Sequence, residues 1–169
     1  MWNPLALFSL PTLIRAGHEL ILRAAKPGEE KKLYELILEL ASFEGKNLDL
    51  LPLTEGRLKK YGFSKNPIFS TEFAEYNDEI IGYALYYFTF TATEGSPILY
   101  LEDLYVKPQF RKSGIGYKII KKLSHYAKEN GCCRMEWHVH NWNESAMRFY
   151  EKLGAKPAKD LIQMRLRTS

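Results

Sequence analysis

Three strand-like runs follow one another in the middle of the chain, with only short breaks between them. The first two, residues 69–76 and 80–90, are joined at Asn77-Asp78, a dipeptide that favours a tight hairpin turn. The third run covers residues 98–106. Because strands joined by such short connections pair antiparallel, the pattern predicts an antiparallel meander.

A helix with one apolar stripe precedes the meander. Its apolar residues recur at spacings of three and four, at Leu33, Leu36, Ile37, Leu40 and Phe43. This period predicts an α-helix, and Glu29 and Glu30 are expected in its first turn, where the helix dipole favours acidic side chains. A short strand over residues 19–23 is predicted before this helix, and a second short helix over residues 55–61, capped by Thr54, after it.

A second long helix follows the third strand-like run. Its predicted buried stripe is Ile115, Ile119, Leu123 and Tyr126. A strand over residues 134–140, a helix from Asn143 to Gly154 and a last strand over residues 161–166 are predicted to follow. The element order β-α-α-β-β-β-α-β-α-β, without internal repeats, predicts an α/β fold with a mixed, largely antiparallel sheet flanked by helices.

Length and composition fit one domain. The 169 residues are 46% apolar and 14% aromatic, enough to build a single core, and we predict one domain over residues 19–169. Residues 1–18 form a separate N-terminal arm that Pro4 and Pro11 interrupt. The arm is shorter than the roughly 20 apolar residues of a membrane helix, so no membrane partner is expected. Two interpretations of the arm stay open, a structural extension and an organellar targeting segment.

Cysteine usage and charge limit the compartment and the partners. Cys132 and Cys133 are neighbours and poorly placed to pair with each other, which argues against a secreted, disulfide-stapled fold and favours a cytoplasmic location. The net charge of +4 fits a phosphate-bearing ligand as well as a nucleic acid. A nucleic-acid interface would need a basic face with interleaved aromatic residues, which the sequence lacks, so no nucleic-acid partner is expected.

A glycine-rich turn over residues 111–116 opens the second long helix. Gly114 and Gly116 remove side chains where a helix N-terminus presents backbone N–H groups, an arrangement suited to a pyrophosphate. A Rossmann fingerprint would need a third glycine, and a Walker loop would need Gly-Lys-Ser/Thr, so neither site is predicted. A glycine-softened helix start without a ligand is the alternative.

Two adjacent acidic residues interrupt the apolar third run. Glu102 and Asp103 are neighbours in a predicted strand, where adjacent residues face opposite sides of the sheet. At least one carboxylate is therefore expected to face a partly buried surface, where an unpaired charge is costly. Either the acids have a functional role, or they lie on an edge strand in water or in ion pairs.

The last predicted helix and the strand before it add further candidates. Asn143 caps the helix, and Tyr150 lies on the same side seven residues later, although taken alone Tyr150 fits a core aromatic residue. His138 and His140 share a strand face near the cysteines, a combination of residues that can bind zinc. No second Cys-x-x-Cys pair or His-x-x-x-His spacing accompanies them, so no metal is expected.

Together these features resemble the GNAT acetyltransferases. Arg111, Gly114 and Gly116 match the Arg/Gln-x-x-Gly-x-Gly/Ala loop of that family, and the element order is similar from about Glu19 to the C-terminus. Within the family the chain is most similar to the diamine (spermidine/spermine) acetyltransferases and their thialysine-acetylating relatives. The stretches that carry this similarity are residues 86–89, 100–106, 111–116, 142–143, 149–150 and 153–155.

The resemblance implies an enzyme that transfers an acetyl group from acetyl-CoA to a primary amine. The implied cofactor contacts are Leu104, Tyr105, Val106, Arg111, Lys112, Ser113, Gly114, Ile115, Gly116, Tyr117, Asn143, Glu144, Ser145 and Ala146. Glu102 would take a proton from the substrate ammonium, directly or through water, and Tyr150 would protonate the leaving thiolate. Relatives in this branch also imply a homodimer.

The resemblance also implies which residues line the substrate site. The implied substrate-lining residues are Phe43, Glu44, Asp103, Glu136, Trp137 and His138. The acidic-aromatic loop of the family reads Thr91-Ala92-Thr93-Glu94 here, and the tail over residues 156–169 has no evident counterpart of the family's Glu and Trp. We therefore expect thialysine or a short diamine to be preferred over spermine. The alternative function is a GNAT-like domain that binds acyl-CoA or a partner without turning over a small amine.

Overall fold

A computed structural model describes residues 19–159 and 161–168 of the chain. Its strands are β1 (Leu20–Ala24), β2 (Ser70–Tyr76), β3 (Glu79–Thr91), β4 (Ser96–Val106) and β5 (Arg134–Trp137). Its helices are α1 (Glu30–Phe43), α2 (Glu55–Gly62), α3 (Ile115–Glu129) and α4 (Glu144–Lys152). The chain divides into two compact units, one ending at Trp137 and the other beginning at His138. The predicted arm over residues 1–18 lies outside the described residues.

The first unit contains one sheet whose strands lie in the order β1-β2-β3-β4-β5. All neighbouring strands are antiparallel except β4 and β5, which are parallel, so the mixed, largely antiparallel sheet is confirmed. The predicted hairpin is also confirmed, because Tyr76 lies opposite Glu79 and only two residues separate them. Those residues, Asn77 and Asp78, have φ of 52° and 62°, as a type I′ turn requires.

Helices cover both faces of this sheet. One buried cluster joins α1 and α2 to the strands and contains Leu33, Leu36, Leu58, Phe73, Tyr83, Leu85 and Tyr105. Phe73 belongs to this cluster, whereas its neighbour Glu72 pairs with Lys122 of α3. Since adjacent strand residues face opposite sides, α1 and α3 lie on opposite faces of the sheet.

The buried stripe of α3 contains three of the four predicted residues. Ile115, Ile119, Ile120, Leu123 and Ala127 are buried, whereas Tyr126 is 37% exposed. Ala127 continues the four-residue spacing of Ile115, Ile119 and Leu123, which turns Tyr126 to the margin of the helix face. There its ring contacts Tyr86 at a centroid distance of 5.9 Å.

The start of α1 also differs from the prediction. Glu29 is the N-cap residue rather than a first-turn residue. Its carboxylate accepts a hydrogen bond from the backbone N–H of Lys26 at 2.7 Å and pairs with Arg23 at 2.7 Å. Arg23 also pairs with Glu75 of β2, so this cluster ties the start of α1 to two strands. The hydrogen bond from Arg23 lowers the pKa of Glu29.

Two predicted strands are shorter or missing. β5 ends at Trp137 instead of residue 140, because its pairing with β4 ends where Leu101 lies opposite Trp137. The predicted strand over residues 161–166 is wrong, since residues 161–168 contain no strand and Leu166 is 92% exposed. An alternating apolar segment becomes a strand only when a neighbouring backbone pairs with it, and no described strand does so here.

Candidate active site

The glycine-rich turn connects β4 to α3 in a conformation suited to an anion. Lys112 and Gly114 have φ of 61° and 82°, and Gly114 is the N-cap of α3 without a side-chain cap. Ser113 is buried, and its hydroxyl donates a hydrogen bond to the carbonyl of Phe110. The first N–H groups of α3 therefore meet no capping side chain, and the helix dipole adds a partial positive charge. A pyrophosphate fits this arrangement.

Only the first part of β4 pairs with β5. Residues 98–101 pair with β5, whereas residues 103–106 pair with β3 alone among the described strands. On the β5 side the backbone of Leu104 to Val106 therefore forms an edge that an extended ligand can reach. One contact already lies there, a 2.8 Å hydrogen bond from Arg111 Nε to the Val106 carbonyl.

β4 contains one extra residue at Glu102. Leu85 of β3 lies opposite Asp103, while the next residue, Tyr86, lies opposite Leu101. Glu102 therefore has no opposite residue, which is the definition of a β-bulge. A bulge bends the strand locally and redirects the side chains beside it.

The bulge brings both carboxylates to one face of the sheet. The Tyr83 hydroxyl donates to Asp103 Oδ2 at 3.0 Å, and the Tyr87 hydroxyl donates to Glu102 Oε2 at 3.1 Å. Tyr83 and Tyr87 are four residues apart on β3 and so share a face. The expectation that Glu102 and Asp103 face opposite sides is therefore wrong, because strict alternation holds only in a strand without a bulge.

The two carboxylates lie in different surroundings. Glu102 is exposed, whereas Asp103 is half-buried. Burial raises the pKa of Asp103 to about 6; the hydrogen bond from Tyr83 opposes this rise, and the charges of Glu102 and Glu44 add to it. Burial also raises the pKa of Tyr87, to about 12, so its phenol remains a neutral donor to Glu102. The site thus combines an exposed carboxyl group, that of Glu102, with a half-buried one, that of Asp103, whose pKa is raised.

A third acid comes from the end of α1. Glu44 is the C-cap residue of α1 and acts electrostatically on Asp103. Lys46 Nζ lies 2.5 Å from Glu44 Oε2, so a cation accompanies this acid. Phe43, the last residue of the helix, lies under the guanidinium of Arg111. The structure thus brings together Phe43, Glu44 and Asp103, which the resemblance implied as substrate contacts.

The acid on β5 lies on the same face as Glu102. Glu136 is opposite Tyr100, and opposite residues of paired strands point to one face. The Tyr100 ring in turn lies 5.2 Å from the ring of Tyr87, which bonds Glu102. Arg134 Nε donates a 2.6 Å hydrogen bond to Glu136 Oε1. The same guanidinium also pairs with Glu94 in the loop after β3. Glu136 is therefore an acid already matched by a cation.

The remaining implied residues lie at the end of the first unit or in the second. Trp137 is the last residue of β5, and His138 begins the second unit. Asn143 caps α4 as predicted, because its Oδ1 accepts from the Ala146 N–H at 3.1 Å. Tyr150 lies in the following turns of α4, half-buried, with its ring 5.1 Å from that of Phe149.

Sequence reasoning missed the partners of the site acids. Tyr83 and Tyr87 hold Asp103 and Glu102, and their four-residue spacing opposite the acidic pair was the available signal. Lys46 and Arg134 lie only two residues from Glu44 and Glu136, with which they pair, but neither cation belongs to a motif or a periodic pattern. The pairing of Arg134 with Glu94 joins residues that are far apart in sequence. Within residues 19–159 and 161–168, no three His, Cys, Asp or Glu side chains are grouped to hold a metal, and no helix could cross a membrane.

Solved structures share this architecture. An aminoglycoside acetyltransferase from an uncultured soil metagenomic sample superposes with a TM-score of 0.73 at 19% identity, covering 89% of this chain and 97% of that one. A ribosomal-protein-alanine N-acetyltransferase from Brucella melitensis biovar Abortus 2308 gives a TM-score of 0.70 at 14% identity, covering 88% and 100%. At these identities the likeness establishes the GNAT fold.

The sequence is also similar to a known protein family and to individual proteins. Residues 30–155 match the acetyltransferase (GNAT) family. The thialysine N-epsilon-acetyltransferase of Bos taurus is 39% identical over 144 residues, covering 80% of this chain and 84% of that protein. The spermidine/spermine N(1)-acetyltransferase-like protein 1 of Homo sapiens is 37% identical over 141 residues, covering 79% of this chain and 20% of that protein. The chain therefore belongs to the acetyltransferase (GNAT) family and is an acetyl-CoA-dependent N-acetyltransferase.

Proposed function

We propose that this enzyme acetylates the primary amine of a small lysine-like substrate or a short diamine, with thialysine favoured over spermine. The observation that carries the proposal is the pair Glu102 and Asp103, which the bulge in β4 places on one face beside Glu44. Such a group of acids suits an ammonium ion. The thialysine N-epsilon-acetyltransferases among the relatives support the same substrate class.

The cations in this acidic region favour a lysine-like substrate over a polyamine. Lys46 pairs with Glu44, and Arg134 pairs with Glu136, so two of the acids are already neutralised. A long polycation would have to displace both cations. A lysine-like substrate carries an α-carboxylate besides its amines, and Lys46 or Arg134 would bind that group.

Glu102 is the proposed proton acceptor. A lysine-like amine with a pKa near 10.4 is an ammonium at neutral pH and must lose a proton before it attacks an acyl group. Glu102 is exposed and oriented by the 3.1 Å hydrogen bond from Tyr87. It takes the proton directly or through one water.

Tyr150 is the proposed proton donor to the thiolate that leaves. A phenol with a pKa near 10 gives a proton to such a group as the acyl bond breaks. This role comes from the resemblance at residues 149–150 and 153–155. Acetyl-CoA, the co-substrate, supplies the acetyl thioester.

Three segments are proposed to bind acetyl-CoA. The turn and the first turn of α3 would hold the pyrophosphate through residues 112–117, and the edge of β4 would pair with the pantetheine through residues 104–106. The resemblance also implies cofactor contacts from residues 143–146 at the start of α4. The left-handed Gly114 and the uncapped start of α3 support the first of these.

Thiol release from acetyl-CoA in the presence of single amines tests the function. We expect release with thialysine, lysine and short diamines. At least one of the variants Lys46→Gln and Arg134→Gln should lower kcat/KM for lysine-like substrates more than for putrescine, which has no carboxylate. Binding of acetyl-CoA without thiol release on any amine would favour the non-catalytic alternative, and equal effects on both substrates would remove the carboxylate contact.

A homodimer and a cytoplasmic location complete the proposal. The resemblance to the diamine acetyltransferase branch supports the dimer, and the two cysteines, neither in a disulfide, agree with a reducing compartment. Light scattering of the purified enzyme should give the mass of two chains. Fusion of residues 1–18 to a reporter protein distinguishes the two interpretations of the arm. A targeting segment would direct the reporter to an organelle, and a structural arm would not.

A further inference from the structure

The Arg111 side chain is directed at the end of α1. Its guanidinium carbon lies 4.7 Å from the ring centroid of Phe43 and 5.5 Å from that of Tyr105. Its Nε donates a 2.8 Å hydrogen bond to the Val106 carbonyl. The planar group is thus fixed to β4 by one contact and stacked against two aromatic rings by the others.

Burial alone does not hold Phe43 in place. Its side chain is 47% exposed, and it is the last residue of α1. One turn earlier, Glu39 accepts a 2.9 Å hydrogen bond from the Tyr105 hydroxyl. The last turns of α1 are therefore attached to β4 at two points, of which Arg111 supplies the one nearer the helix end.

The position of Phe43 determines that of the next residue. Glu44 follows it directly, caps the helix and acts on Asp103 through its charge. A displacement of the end of α1, which the contact of Phe43 with Arg111 opposes, would move the Glu44 carboxylate relative to the carboxylates on β4. Arg111 comes from the glycine-rich turn, so one side chain connects the proposed pyrophosphate site to the proposed amine site.

We propose that Arg111 is a positioning residue for the amine, a clamp that links Phe43 to Tyr105 and thereby holds Glu44 within electrostatic reach of Asp103. The proposal rests on the proposed function and changes the role that the resemblance implied for Arg111, which was a cofactor contact. Arg111 governs the amine site more than the affinity for acetyl-CoA.

Three variants test the clamp by steady-state kinetics and calorimetry. Arg111→Lys keeps the charge of the turn and loses the planar stacking group, and Phe43→Leu removes the ring. Each should raise KM for thialysine about tenfold, with kcat and the acetyl-CoA Kd changed by less than about threefold. The double variant should be no worse than either single variant, because both remove the same contact. Lys60→Gln, which removes a similar contact over Tyr61 on α2, should leave KM unchanged.

Two results would overturn the proposal. One is an Arg111→Lys enzyme whose acetyl-CoA affinity falls as much as its amine KM rises. The other is a double variant whose KM rise equals the product of the two single effects. If the wild type acetylates none of the amines, the proposed function fails, and urea unfolding of the same four chains decides the clamp separately. A double variant that loses less unfolding free energy than the sum of the two single losses would support the clamp. Losses that simply add would contradict it.

Discussion

Tyr83 donates a 3.0 Å hydrogen bond to Asp103 from a fully buried position in the sheet. Burial raises the pKa of Asp103 from 3.8 to about 6, although the bond from Tyr83 favours the ionised form. Desolvation is therefore the stronger of the two effects at this carboxyl group. Burial and the neighbouring Asp103 charge also raise the pKa of the Tyr83 phenol, so it remains a donor throughout the working pH range.

The raised pKa of Asp103 predicts a pH dependence of stability. The folded state holds this proton more tightly than the unfolded state, so the contribution to stability is complete below about pH 4 and is lost as the pH rises through about 6. Relative to Asp103→Asn, the wild type should lose up to about 3 kcal/mol of unfolding free energy between pH 4 and pH 7.

Urea unfolding of the two proteins across this range measures the difference. Glu129→Gln, at the exposed end of α3, serves as the control and should follow the wild type. Parallel pH profiles for wild type and Asp103→Asn would show that Asp103 keeps an ordinary pKa.

Glu102→Gln removes the proposed proton acceptor. Because general bases typically contribute about 10²–10⁴-fold, kcat/KM should fall by a factor in this range. The fall should be largest at low pH, where the smallest fraction of the amine is already deprotonated. A pH–rate profile of the variant beside that of Glu129→Gln tests this, and a profile that matches the wild type at every pH would exclude Glu102 from the reaction.

Tyr150→Phe removes the proposed proton donor and leaves the ring. The turnover rate should fall by about 10²–10⁴-fold, while the acetyl-CoA Kd measured by calorimetry changes far less. Loss of cofactor affinity in proportion to the loss of rate would instead make Tyr150 a binding residue. Full activity would remove it from the mechanism.

Gly114→Val should abolish acetyl-CoA binding while the protein still folds. The substitution places a branched side chain at the mouth of the proposed pyrophosphate site and on a backbone with φ of 82°. Gly131→Val is a matched control, because Gly131 has φ of 72° just beyond the other end of α3 and an added Cβ would meet no atom within 4 Å. Both variants carry backbone strain, so equal acetyl-CoA affinities would contradict the pyrophosphate site.

Local chemistry made much of the fold predictable. Asn77-Asp78 adopts positive φ at both positions, as the dipeptide indicated, and this turn fixes β2 against β3. The spacing of Leu33 and Leu36 identified the buried face of α1. These signals depend on residues close in sequence, and folding preserves them.

The features that shape the site depend on contacts between distant segments. The bulge at Glu102 changes which way the acids face, yet strand-like residues on both sides of it give no sign of an extra residue. β5 ends at Trp137 because its pairing with β4 ends there, while the sequence remains strand-like to residue 140. Arg134 also pairs with Glu94 in the loop after β3, forty residues earlier in the chain.

Competition between thialysine and spermine in one reaction tests the central claim most directly. Both amines are supplied at equal concentration with limiting acetyl-CoA, and mass spectrometry of the acetylated products gives the ratio of the two kcat/KM values. We predict that acetyl-thialysine predominates, because two of the site acids are already paired with cations. Predominance of acetyl-spermine would contradict the proposed substrate preference, and the absence of both products would contradict small-amine acetylation itself.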